Sequence, residues 1–371
     1  MRRVRKLLSL KNIGYVLFLV LFTILALEVM LRLYNPFASR LRGDKIMLPV
    51  NRVHHIENDH NPRLDKYILR TTNSLGFRGP EKPNDLENRL SIVTVGGSTT
   101  ECYYLSDDKT WSAVLMRDLE SSFERVWLNN AGLDGHSTFG HQILLDDFLV
   151  RLRPKIILYL VGANDVGRED LVDYDESIID RPLANVLKKS EIFNIYLNYH
   201  RAEAARRLGV KHEHLDFARV GTRDLSTDEM DRILAQHNQW LKDFRTRLLR
   251  LIESTKAAGI EPILLTQPTV VGVGVDPETG ADLKKIALSA GSNGELYWRT
   301  LELYNQQTRE IGRATNTTVI DLAVEMPKST EFYYDAIHFT NAGAARVASV
   351  IAKDIRLYLK SNYSEYVKLG S

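Results

Sequence analysis

From about Leu90 the chain alternates short apolar runs with longer stretches of helical period. Ile92 to Val95, Val126 to Asn129, Ile156 to Val161, Pro262 to Thr266 and Thr318 to Asp321 read as strands. Ile156 to Val161 is so continuously apolar that it fits a strand buried on both faces. Between the strands, Trp111, Leu115, Leu119 and Phe123 fall on one face of a helix, and Phe139 to Arg151 forms a second. Ser226-Thr227-Asp228-Glu229 is a capping box. It opens one long helix in which Met230, Ile233, Leu234, Trp240, Leu241, Phe244, Leu248 and Ile252 keep the apolar spacing until Gly259. Further helices run from Glu295 to about Thr315 and from Ala342 to about Leu359. Strands alternating with helices predict an α/β fold, a three-layer sandwich around a five-stranded parallel sheet.

Two regions break this rhythm. After Arg2, Arg3, Arg5, Lys6 and Lys11, the stretch Ile13 to Leu27 is uncharged, and it continues through Glu28 and Arg32 to Tyr34. About 20 such residues suffice to cross a bilayer as a helix. Glu28 and Arg32 stand four apart and can pair at the far interface. The positive flank predicts a cytoplasmic N-terminus and a periplasmic or extracellular remainder. A cleaved signal peptide is the competing reading; no small-x-small site follows the apolar core, so a retained anchor is expected. The second break spans about 167–225. It is acidic first (Glu169, Asp170, Asp173, Asp175, Glu176, Asp180), then helical and aromatic (Phe193, Tyr196, Tyr199). It reads as an insertion at the sheet's C-terminal edge, where lids and specificity elements sit.

The expected organisation is therefore a basic tail (1–11), a transmembrane signal-anchor (12–34), a polar, irregular stalk and lead-in (35–89), a catalytic-type domain (90–361) carrying the insertion, and a C-terminal tail (362–371). Within the lead-in, Asn73 to Pro80 reads as a docking segment that pins Phe77, with a direct role for Arg78 at a site as the lesser alternative. A net charge of +2 over 371 residues, much of its excess crowded at the N-terminus, gives no reason to expect nucleic acid. Cys102 is the single cysteine, which excludes an intrachain disulfide. It reads as a small buried residue.

The candidate chemistry lies just past the strands. Gly96-Gly97-Ser98-Thr99 follows the first, Gly132-Leu133-Asp134-Gly135 the second and Gly162-Ala163-Asn164-Asp165 the third. Asp335 and His338, three residues apart, come after the fifth. Parallel α/β sheets bind ligands beyond the carboxyl ends of their strands, so topology alone brings all four blocks to one edge. A serine hydroxyl becomes a nucleophile when an imidazole takes its proton and a carboxylate orients that imidazole. Taken singly, Ser98 is a helix cap, Gly135 and Asn164 are turn residues, and His338 is structural; in this order on one edge they form a catalytic constellation. The remaining histidines make no ligand set, His136 and His141 being five apart, so neither metal nor cofactor is expected.

With these blocks in this order, the chain resembles the SGNH (GDSL-type) hydrolases from about Ile92 to Phe339. The resemblance implies a flavodoxin-like strand order, 2-1-3-4-5. It also implies Ser98 as nucleophile, Gly135 and Asn164 as oxyanion donors beside the Ser98 amide, His338 as general base and Asp335 as its orienter. One departure is visible: the family's Gly-Asp-Ser is Gly96-Gly97-Ser98 here. The expected function is a membrane-anchored serine esterase acting on an ester, with O-acetylated envelope or extracellular carbohydrate as substrate. Two alternatives stay open. One is an acyltransferase that uses the same residues to O-acetylate a polysaccharide, with a multi-spanning partner. The other is a non-catalytic envelope scaffold.

Overall fold

The computed structural model describes residues 10–34, 41–42, 45–59, 61–168, 187, 189–207, 214–288 and 291–368. Two compact units emerge, Leu48–Asp175 with Gly209–Ser371, and Met1–Met47 with Glu176–Leu208. In the larger unit the chain runs through β1 (Val53–Glu57), β2 (Tyr67–Thr71), β3 (Leu90–Gly96), α1 (Ser98–Glu101), α2 (Trp111–Glu120), β4 (Val126–Asn130), α3 (Thr138–Leu144) and β5 (Ile156–Leu160). It continues through α4 (Thr227–Gln236), α5 (Asn238–Ala257), β6 (Glu261–Leu265), α6 (Gly294–Thr315), β7 (Val319–Ile320) and α7 (Asn341–Asn362). The five central strands pair in parallel in the order β4-β3-β5-β6-β7, which is the 2-1-3-4-5 order expected.

Side-chain alternation along these strands explains the three layers. Ile92, Leu158 and Ile263 face one way and pack with Trp111, Leu115 and Leu119 of α2 and Val347, Ile351 and Ile355 of α7. Val93, Ile157 and Leu264 face the other way, against Leu144 of α3, Phe244 and Leu248 of α5 and Tyr304 and Ile311 of α6. A strand apolar on both sides is therefore sandwiched, and its carboxyl end is the edge left for chemistry.

Several elements differ from the sequence reading. The long helix predicted from Ser226 is two helices that meet at His237, whose buried ring lies 3.3 Å from the Tyr304 hydroxyl and edge-on to Trp240. Apolar spacing runs through such a break, so periodicity could not reveal it. The capping box itself is present, with Ser226 Oγ accepting from the Glu229 amide. The helix predicted over 139–151 is α3 followed by a π turn at Leu145–Leu149 and a short helix at Val150–Leu152. The lead-in is not irregular throughout. β1 and β2 form an antiparallel hairpin with Ile68 and Arg70 buried. Phe77 is buried among the Val93 and Trp127 side chains, as a docking residue should be.

The smaller unit holds the helix Leu10–Leu33, of which Asn12–Leu33 is long and apolar enough to cross a membrane. Glu28 and Arg32 pair at 2.8 Å. Glu28 also accepts from Ser190 Oγ at 2.9 Å and from the Glu191 and Ile192 amides at 3.1 and 3.3 Å. A carboxylate there satisfies the first amides of the helix Glu191–Arg207, the aromatic part of the insertion, and complements that helix's positive end. The acidic part of the insertion, from Glu169 to Asp180, lies outside the described residues.

Candidate active site

Strand β3 ends in a turn built on two glycines. Gly97 passes the chain into α1, which starts at Ser98. A Cβ on Gly96 would overlap the Thr100 hydroxyl and the Leu160 carbonyl, and one on Gly97 would overlap Nδ2 of Asn164. The second overlap marks what the Gly-Gly-Ser departure changes locally: a Cβ at 97 requires the Asn164 carboxamide to shift. The Asn164 carboxamide lies directly on the bare Cα of Gly97, so glycine at this position lets the first and third sequence blocks touch. An aspartate there would have to push the carboxamide aside.

Ser98, from the end of β3, meets His338, from the loop before α7, at 2.7 Å between Oγ and Nε2. The other ring nitrogen, Nδ1, is 2.6 Å from Oδ2 of Asp335. Asp335 is fixed in turn, because its Oδ1 accepts from the amides of Ile337 and His338 at 2.9 and 2.8 Å. Burial pushes the Asp335 carboxyl upward, but the adjacent His338 and those hydrogen bonds outweigh it and hold the acid below its ordinary value. The ring of Tyr334 stacks on His338 at 5.5 Å and 11°. Thr269 Oγ1 donates to the Ala336 carbonyl at 2.7 Å and pins the same loop. Serine, imidazole and carboxylate thus form one hydrogen-bonded line suited to moving a proton off Ser98.

The second and third blocks stand beside it. The Leu133 amide bonds the Gly96 carbonyl at 3.0 Å, which lays the loop Asn130 to Thr138 against the Ser98 turn. Gly135 has φ +75, a conformation that suits glycine, and turns the chain there. Asn164 Nδ2 donates to the His136 carbonyl at 3.0 Å, which orients the carboxamide. Among the described residues neither the Ser98 nor the Gly135 amide is spent on another hydrogen bond. Two free amides and an oriented carboxamide next to a serine can stabilise a developing oxyanion.

Sequence reading missed the groups that hold this loop in place. Asp165 is fully buried and accepts from Thr138 through its hydroxyl at 2.6 Å and its amide at 3.3 Å, while Arg247 Nη2 lies 3.3 Å away. Burial raises the Asp165 carboxyl, and the Arg247 charge and Thr138 hydrogen bonds oppose that rise. Only the adjacency of Asp165 to Asn164 hinted at this. Arg78 does not reach the serine. It is buried with Nε 2.9 Å from Asp107 and donates to the carbonyls of Glu101, Cys102 and Leu105, tying down the end of the Ser98 turn. Cys102 is buried there as expected, its thiol pushed up to about 12 by burial, which makes it unreactive. No group of three or more His, Cys, Asp or Glu side chains among the described residues is arranged to hold a metal ion.

A cavity of about 10 Å³ opens beside Ser98, lined also by His136, His141, Leu160, Asn164 and Gln267. That is room for one water-sized or methyl-sized group. A far larger cavity, about 910 Å³, lies among Lys256, Arg309, Arg313 and Tyr358 and shares no lining residue with the serine site. Its size is no reason to place the chemistry there, because its lining holds no serine and no histidine.

His141 supplies a pH signature. Burial, with His136 acting in the same direction, lowers its imidazole from 6.5 to about 3. Between those values the unfolded chain binds a proton that the folded chain refuses, so stability falls as pH drops below 6.5. The loss is up to about 1.4 kcal/mol per pH unit. Urea midpoints at pH 7 and pH 4.5 should show a stability loss that is larger in the wild type than in His141→Leu by about 3 kcal/mol. Parallel losses in both proteins would contradict the assignment.

Residues 94–346, more than half of the chain, match the model of the GDSL-like lipase/acylhydrolase family. The chain belongs to that family. As a GDSL-like acylhydrolase it is a hydrolase of ester bonds, and the match takes in every block from Ser98 to His338. The lead-in and the apolar helix lie outside it. Among solved structures, an acetylxylan esterase from Geobacillus stearothermophilus is 14% identical, over 71% of this chain and 93% of that chain, with a TM-score of 0.41. The esterase EstA from a Pseudoalteromonas species is also 14% identical, over 73% of this chain and 99% of that chain, with a TM-score of 0.41. A comparison with curated protein sequences gave no match.

Proposed function

We propose that this GDSL-like hydrolase is a serine esterase in which Ser98 attacks the ester carbonyl. The observation that carries the reading is the unbroken line from Ser98 Oγ through His338 to Asp335, at 2.7 and 2.6 Å. His338 accepts the serine proton as the bond to the carbonyl carbon forms, then returns it to the leaving alcohol as the ester bond breaks. Asp335 keeps the imidazole in the tautomer that presents a bare Nε2 to the hydroxyl. The tetrahedral oxyanion is held by the amides of Ser98 and Gly135 and by the Asn164 carboxamide. Water, activated by the same imidazole, then releases the acyl group.

A short acyl group such as acetyl is the expected fit, since the space lined by Ser98, His136 and Asn164 is small. An O-acetylated carbohydrate outside the membrane is the proposed substrate class, a reading supported by the acylhydrolase family and the apolar N-terminal helix. The N-terminal helix anchors the protein with the domain outside the cytoplasmic membrane, an orientation supported by the basic flank ahead of it. The test is hydrolysis of chromogenic esters of rising acyl length by the wild type. Acetyl esters should be the best substrates and octanoyl esters the poorest. A preference for long chains would refute the small-acyl reading, and acetyl gained by an added glycan instead of free acetate would favour a transferase.

A further inference from the structure

A second buried carboxylate sits within the nucleophile turn. Glu101 closes α1, three residues after Ser98, and is buried. Its Oε1 accepts from Arg70 Nη2 at 2.6 Å, and its Oε2 accepts from the amide of Asp134 at 2.7 Å. Asp134 is the residue before Gly135, whose own amide is an oxyanion donor in the proposed mechanism. Around this contact the two backbones run against each other. Asn130 Nδ2 donates to the Thr100 carbonyl at 2.6 Å, and a Cβ on Gly132 would overlap the Glu101 amide nitrogen. Glu101 therefore holds the near end of the oxyanion loop as Asp165 holds its far end through Thr138.

Arg70 comes from β2 of the lead-in, outside the family match, and its guanidinium also lies over the Tyr103 ring at 5.0 Å. The pair does not look arranged for stability. Arg70 Nε is buried without a hydrogen-bond partner among the described residues. Buried ion pairs with an unsatisfied donor commonly stabilise a fold less than an apolar pair of the same shape would. A carboxylate kept there under that cost, and spent on an amide next to an oxyanion donor, fits a positioning task.

We propose that Glu101, backed by Arg70, is a positioning residue that sets the separation between the Ser98 turn and the Gly135 amide, which makes the lead-in hairpin part of the catalytic unit. The inference rests on the esterase reading above. Glu101 touches no reacting atom; it acts through the loop. Its effect belongs to the transition state, where the oxyanion develops, and not to ester binding.

The experiment uses the full chain and a chromogenic acetyl ester. Glu101→Gln keeps the shape but removes the charge that serves two donors. Its kcat should fall about tenfold to a hundredfold, less than the loss typical of a deleted oxyanion donor, with KM unchanged within about threefold. A fluorophosphonate should still titrate Ser98 fully but react more slowly by the same factor. Arg70→Met should fall in the same direction, and Arg70→Lys should recover part of the loss. Lys66→Ala, on the exposed Lys66–Glu57 pair of the same hairpin, should match the wild type. If Glu101→Gln fails to fold, the Arg70 pair carries the test. Wild-type kcat in Glu101→Gln, or a loss explained wholly by a lower Ser98 titre, would overturn the inference while leaving the esterase intact. An inactive wild type, or one matched by Ser98→Ala, would overturn both.

Discussion

His338→Ala is expected to lower kcat for acetyl-ester hydrolysis by about four orders of magnitude or more. The His338 Nε2 is the partner placed 2.7 Å from the Ser98 hydroxyl, and its loss leaves the nucleophile protonated with no group to relay its proton. The loss should appear in kcat and in kcat/KM together, because the imidazole acts on the transition state and not on ester binding. The loop itself should survive. Asp335 keeps its hydrogen bonds to the backbone amides at positions 337 and 338, which an alanine at 338 preserves. Steady-state kinetics beside a melting curve separate this chemical loss from unfolding. A residual rate within tenfold of wild type would remove His338 from the role of base.

Asn164→Ala should be the next largest effect, a fall in kcat of about a hundredfold to a thousandfold with little change in KM. That corresponds to about 3–4 kcal/mol of oxyanion stabilisation. The carboxamide is already oriented by the His136 carbonyl at 3.0 Å and seated on Gly97, so it needs no rearrangement when charge develops. Gly97→Asp probes the same contact, since its Cβ would meet the Asn164 carboxamide and require it to shift. Both variants should retain full fluorophosphonate titration of Ser98. If Asn164→Ala left kcat untouched, the oxyanion would have to rest on backbone amides alone.

The sequence made the sheet and the hydrogen-bonded line of Ser98, His338 and Asp335 legible because both depend on local pattern. Each strand is an apolar run, each block follows a strand, and parallel topology carries the blocks to one edge. What stayed hidden depends on pairs remote in sequence. Nothing near Glu101 announces that its carboxylate bonds the Asp134 amide, or that Arg70, thirty-one residues earlier, completes the pair. The lead-in looked irregular because burial in β2 alternates but polarity does not follow it: Tyr67 and Leu69 are exposed, while Ile68 and the charged Arg70 are buried. The break at His237 was masked by apolar spacing that continues across it. Glu28 illustrates the same limit in the smaller unit. Its pairing with Arg32 follows from spacing, but its contact with Ser190 and the following helix could not be read from either segment alone.

Covalent labelling tests the central claim most directly. Folded protein treated with a fluorophosphonate, digested and analysed by peptide mass should carry one adduct, on Ser98, and His338→Ala should form it at least a thousandfold more slowly. An adduct elsewhere, an unlabelled Ser98 in folded protein, or a labelling rate indifferent to His338 would contradict the account.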